Sequence, residues 1–88
     1  MNNTGYGYLL DGDCVPAFVN AERDRRKLLA WFDELAAHPS AKGDYEEVTP
    51  GGRRVQVVLR DDWLISYWTD DAVKRVWIVE LVKVADKL

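Results

Sequence analysis

The sequence predicts an α+β fold: a short N-terminal strand, a helical hairpin, then an antiparallel β-meander packed on the helices. Three observations carry this. Ala21, Leu28, Phe32 and Leu35 recur at helical spacing, and Leu29, Trp31 and Ala36 widen the stripe. Three β-rich runs, 53–60, 63–69 and 74–84, follow with only Asp61-Asp62 and residues 70–73 between them, spacings that suit hairpins. Thr49-Pro50-Gly51-Gly52 is a strong turn signal where the meander begins.

Taken in order, Tyr6-Gly7-Tyr8-Leu9-Leu10 reads as the short strand, closed by the turn-forming Asp11-Gly12-Asp13. Pro16 suits the first turn of a helix, so residues 15–19 are expected to be a brief helical piece. Asn20 is a good N-cap for a longer helix over 20–37, with Glu22 and Asp24 near its positive end. His38 caps that helix, and Pro39 ends it by disfavouring the α conformation in the residue before it. Residues 40–44 form a loop, and Tyr45-Glu46-Glu47-Val48 is an extended edge segment.

The 88 residues make one domain, 1–88, and 48% hydrophobic content with four Trp, four Tyr and two Phe supplies a core without a metal or disulfide. The single Cys14 cannot form an intrachain bridge and lies far along the chain from the only imidazole, His38, so a structural role is expected for it. No His/Cys cluster suggests a metal, and no cofactor is expected. No run reaches the ~18 apolar residues of a membrane span, and the start lacks signal-peptide order, which makes a cytoplasmic location the default. Net charge is −3. Residues 1–52 hold five Lys/Arg against nine Asp/Glu, and residues 53–88 hold seven against six. That balance argues against strong non-specific nucleic-acid affinity.

A two-residue loop at Asp61-Asp62 pairs Arg60 with Trp63 and fixes the first hairpin's register. One face then carries Val55, Val57, Leu59, Leu64, Ser66 and Trp68; being nearly all apolar, it is expected to lie against the helix. The other carries Arg54, Gln56, Val58, Arg60, Trp63, Ile65, Tyr67 and Thr69 and is expected to be open. Continuing across the next loop places Lys74, Val76, Ile78 and Glu80 on the open face, with Arg75, Trp77, Val79 and Leu81 on the core side. A one-residue slip would exchange those last two sets. Glu80 is the odd residue of an apolar strand, and if buried it needs a cation such as Lys74 or Arg60. Exposed aliphatics beside basic and aromatic groups mark a partner site.

Residues 28–35 with Ala36-Ala37-His38-Pro39, then Gly43-Asp44-Tyr45, Gly52-Arg53, Val55-Gln56-Val57, Tyr67-Trp68, Asp70 and Ala72-Val73-Lys74 through Val76 to Val79, resemble the RelE/ParE toxin superfamily, closest to small RelE-like toxins of bacterial type II toxin–antitoxin modules. The resemblance covers residues 20–84 and rests on element order and dispersed matches. It implies a toxin held inactive by a cognate antitoxin and acting as a metal-independent endoribonuclease on messenger RNA at the ribosome. A 2′-OH would attack the adjacent phosphate while preorganised cations stabilise the developing charge. On that reading Arg54, Arg60 and Lys74 bind phosphate and Tyr67 moves the proton. Trp63 stacks on a base, with Arg53 and Gln56 as further RNA contacts. Leu64 stands where nuclease members usually carry Arg, and the ending Val84-Ala85-Asp86-Lys87-Leu88 lacks their Tyr or His. The alternative is therefore a non-catalytic protein-interaction domain on the same fold, an inactive toxin relative or a gyrase-inhibitor type.

Overall fold

The β-branched and aromatic runs of the C-terminal half build most of a five-stranded mixed sheet, which a computed structural model describes over residues 4–84. The strands are β1 (Gly7–Leu10), β2 (Tyr45–Val48), β3 (Arg54–Arg60), β4 (Trp63–Asp70) and β5 (Arg75–Lys83), in sheet order β1-β5-β4-β3-β2. The meander β3–β5 is antiparallel as expected, and β2 lines one edge against β3. The first strand forms the other edge but runs parallel to β5, so the sheet is mixed rather than wholly antiparallel.

Two helices, α1 (Val15–Asn20) and α2 (Arg25–Ala37), separate β1 from β2. Asp11 accepts a hydrogen bond from the Asp13 N–H and so opens the single 3₁₀ turn that leads into α1, where Pro16 sits in the first turn. The expectation of one helix over 20–37 needs correcting. Asn20 ends α1, Glu22 adopts φ 51°, and a second 3₁₀ turn intervenes before α2 begins at Arg25. At the far end the His38 N–H reaches back to the carbonyls of Glu34 and Leu35, closing the helix.

The core forms where α2 crosses the sheet. Leu28, Phe32 and Leu35 meet Val58 of β3, Trp63, Ile65 and Tyr67 of β4, and Val76, Ile78 and Leu81 of β5. Tyr8 and Phe18 lean on Phe32 with ring centroids 5.3 and 6.3 Å away. Cys14 is buried here, and its thiol donates to the carbonyls of Ile78 (3.2 Å) and Asp11 (3.1 Å). Burial, with the nearby Asp11 charge second, pushes that thiol's pKa up, which keeps it un-ionised and inert. The structural role expected of Cys14 fits this setting.

The first-hairpin register is as expected, from Gln56 opposite Tyr67 to Arg60 opposite Trp63. The assignment of faces is reversed. The helix lies on the Val58, Trp63, Ile65 and Tyr67 side, and Val55, Val57, Leu59, Leu64, Ser66 and Trp68 form the side away from it, where Val55, Val57 and Ser66 are buried and Leu59 is exposed. The last strand departs further. Tyr67 pairs with Ile78 but Ser66 pairs with Glu80, so Val79 is the extra residue of a β-bulge. Val76 and Ile78 face the helix before the bulge and Leu81 after it, while Trp77 and Glu80 share the open side. Glu80 is exposed, so it needs no buried cationic partner.

The loop before β2 is held by a close approach at Gly43. Its N–H donates to Gln56 Oε1 (2.9 Å), the next N–H, of Asp44, donates to the Val57 carbonyl (2.8 Å), and the Asp44 carboxylate accepts from the Leu59 N–H (2.8 Å). A Cβ on Gly43 would lie 2.5 Å from that Val57 oxygen, a backbone atom that cannot swing aside. Gly43→Ala is therefore expected to lower stability by about 1–3 kcal/mol in urea unfolding, the usual cost of overpacking. Native Cys14 should react with an aromatic disulfide reagent only at the rate of protein opening, a comparison that thiol labelling with and without denaturant makes directly.

Candidate functional site

The residues proposed for RNA chemistry do not converge. Tyr67 is 3% exposed beneath the helix layer, and its hydroxyl donates to the Ala41 carbonyl at 3.3 Å. Burial holds its pKa above the usual phenol value despite the opposing effect of Arg60, which suits a hydrogen-bond donor and not a proton shuttle. Trp63 is 4% exposed, so its ring is packed in the core and not presented to a base. Both residues were expected on an open face, and both lie instead on the face that receives α2.

The basic groups are dispersed as well. Arg54 pairs with Glu46 at 3.0 Å, and Arg60 reaches Glu34 of α2 at 3.6 Å. Gln56 accepts from the Gly43 N–H and donates to Glu46 at 2.7 Å, which makes it a loop anchor. Lys74 ends the β4–β5 turn with φ 54°, at the opposite end of the hairpin from Arg60. Exposed pairs of this kind contribute little, about 0–1 kcal/mol each. Their spacing gathers no common phosphate position.

The open face carries a different constellation. Trp77 of β5 lies directly opposite Trp68 of β4, and the two indoles stack with centroids 6.4 Å apart at 15°. The Arg53 guanidinium sits over the Trp68 ring, 3.8 Å from its centroid. Together they line a groove of about 640 Å³ that Val55, Ser66 and Val79 extend along the sheet. Asp11, Asp13, Glu47 and Glu80 also line it, so four acidic residues and one arginine share the groove. The Trp77 indole N–H is buried with no hydrogen-bond partner among the described residues, a costly condition in a low-dielectric site. Beyond the groove, Leu59 is exposed on the same face with Leu64 beside it, so the apolar surface continues along the hairpin.

Of the expected site residues, only Arg53 belongs to this groove. Trp68 and Trp77 were assigned to the core by the sequence and lie on the open side. No local signal placed them: strict alternation sets Glu80 with Ile78 and on the opposite side from Trp77, and only the bulge brings Glu80 and Trp77 to one side. The described residues contain no group of three or more His, Cys, Asp or Glu side chains arranged to hold a metal ion. No helix of the described residues is long and apolar enough to cross a membrane. No protein-family model matches the chain, and no curated protein matches it.

On the helix side, Trp63 has a structural task. Its indole N–H donates to Asp24 Oδ2 at 3.0 Å, and Lys83 Nζ reaches the same oxygen at 3.2 Å. These two donors, Trp63 first, hold the Asp24 carboxyl below the usual range. A depressed carboxylate adds stability that is complete above its unfolded value of about 3.9 and lost as pH falls through the folded one. Asp24→Asn is thus expected to melt below the wild type near neutral pH, with the gap narrowing as pH falls beneath the ordinary Asp value of about 3.9 and the wild type protonates. Thermal unfolding followed across that range measures it.

Proposed function

We propose that this chain is a non-catalytic protein-interaction domain on a RelE/ParE-like fold, and that the Trp68–Trp77 groove on its open sheet face receives a partner chain. One observation carries the reading. The open face concentrates stacked aromatics and exposed aliphatics, while the groups that phosphate chemistry would need are paired, buried or far apart. An apolar face rimmed by charge is the usual form of a protein-docking surface. The order of a strand, two helices and then antiparallel strands supports the RelE/ParE-like part of the proposal, and the parallel pairing of β1 adds a feature that the resemblance did not imply. Within that family's logic the partner is a cognate antitoxin, encoded beside this chain.

Four acidic residues in the groove against a single guanidinium, itself lying on Trp68, also disfavour RNA there, because each phosphate brings another negative charge. Nuclease action would have to proceed on the helix side, where Arg54 and Arg60 hold Glu46 and Glu34.

Purified protein added to ribosomes programmed with messenger RNA is expected to leave the message intact. Cleavage that disappears in Arg54→Ala/Arg60→Ala would overturn the proposal in favour of the endoribonuclease. In co-expression with the product of an adjacent reading frame, a complex is expected that Glu80→Lys weakens and Arg54→Ala/Arg60→Ala leaves intact. The opposite pattern would move the docking surface to the other face.

A further inference from the structure

We infer that the groove recognises a cationic side chain, so that the docked partner presents a basic segment, with a Lys or Arg of that segment taking the place over Trp68 that Arg53 now holds. This rests on the interaction-domain reading and adds the chemistry of the partner.

The starting observation is that the groove already contains a bound cation of its own. The Arg53 guanidinium lies 3.8 Å from the Trp68 centroid, within the range at which the negative face of an indole attracts a positive charge. Arg53 makes no salt bridge among the described residues; the neighbouring Arg54 does, with Glu46 on the other side of the strand. Its side chain therefore rests on the ring and is not committed to a carboxylate. It comes from the exposed end of the 49–53 turn, directly before β3 begins, so displacing it breaks no ladder bond of the sheet.

The second observation is charge. Asp11 and Asp13 approach the groove from the segment after β1, Glu47 from β2, and Glu80 from β5. Four acidic residues from three separate parts of the fold and one arginine line the groove, which makes it a net negative site. A stacked pair of indoles in an acidic surround attracts an ammonium or guanidinium group, the ring taking the cation's face and the surrounding carboxylates supplying a favourable field. The same arrangement repels an acidic segment and a phosphate backbone alike. The bulge at Val79 is part of the device, since it is what sets Glu80 on the side of Trp77.

Arg53 makes the idea decidable. If the groove binds anions, Arg53 is its best ligand and removing it weakens binding. If the groove binds cations, Arg53 is an internal competitor and removing it strengthens binding. The experiment is fluorescence anisotropy with three labelled probes: a short Lys/Arg-rich peptide, an acidic peptide of equal length and a single-stranded RNA oligonucleotide. The basic peptide is expected to bind, more weakly as salt rises. Arg53→Ala should tighten it about two- to fivefold, the value of one exposed cation–π contact. Glu47→Gln/Glu80→Gln, two exposed positions whose exchange leaves the core untouched, should weaken it about two- to tenfold at low salt.

Basic-peptide binding that Arg53→Ala weakens, or that the Glu47→Gln/Glu80→Gln pair leaves unchanged, overturns the inference. So does the absence of basic-peptide binding. Binding of the acidic peptide alone would overturn the cationic subsite while leaving the interaction domain standing. Binding of the RNA alone, lost in Arg53→Ala, would count against both.

Discussion

The bulge at Val79 is the constraint on which the rest of this structure depends. Before it, alternate residues of β5 send Val76 and Ile78 beneath α2; after it, Leu81 takes that direction and Glu80 the opposite one. Without the extra residue, strict alternation would place Glu80 in line with Ile78 and set a carboxylate inside the core, where an unpaired charge is among the most expensive groups to bury. With it, Val58, Ile65, Val76, Ile78 and Leu81 form an aliphatic centre across three strands, and Leu28, Phe32 and Leu35 have a continuous surface to pack on. One inserted residue thus decides which way the end of β5 faces, with Leu81 on the core side and Glu80 on the free one.

That decision explains which parts of the sequence were readable. Hairpin geometry is local, so the two-residue Asp61-Asp62 loop gave the β3–β4 register down to individual partners. The edge position of β2 and the buried stripe Leu28, Phe32 and Leu35 were legible for the same reason. The choice of face was not, because both faces of this hairpin are rich in apolar residues, and the side with fewer polar atoms was the natural one to bury. The opposite side is buried because its polar tips find partners in the N-terminal half. Trp63 donates to Asp24, Tyr67 to the Ala41 carbonyl, Thr69 to the Pro39 carbonyl, and Gln56 accepts from the Gly43 N–H. None of those contacts has a sequence period; each joins residues 13 to 39 positions apart.

Asp24 shows how a local rule yields to such a contact. By sequence it belongs in the first turn of a helix, where its charge would favour the N-terminal dipole. It stands at the N-cap of α2 but makes no capping bond there. Its carboxylate is occupied by Trp63 and Lys83 across the molecule. Lys27 with Asp61 and Glu34 with Arg60 repeat the same connection further along α2, so the helix is stitched to the β3–β4 hairpin at several points. Two of the residues that looked like an RNA site from the sequence, Arg60 and Trp63, are such stitches, basic and aromatic because they join the hairpin to the helix.

The open face has no comparable structural duty. Stability of the core is secured on the other side, and the groove contributes a cost instead: a buried Trp77 N–H without an acceptor among the described residues, of order 1–3 kcal/mol. Stacked indoles, a guanidinium lying on one of them and carboxylates from three parts of the chain are also more than a solvated sheet surface requires. Small domains have little stability to spare, and features that lower it persist where function holds them in place. The sheet side that α2 leaves uncovered is where this protein keeps such features, and its chemistry, aromatic below and acidic around, is that of a site for a positively charged partner.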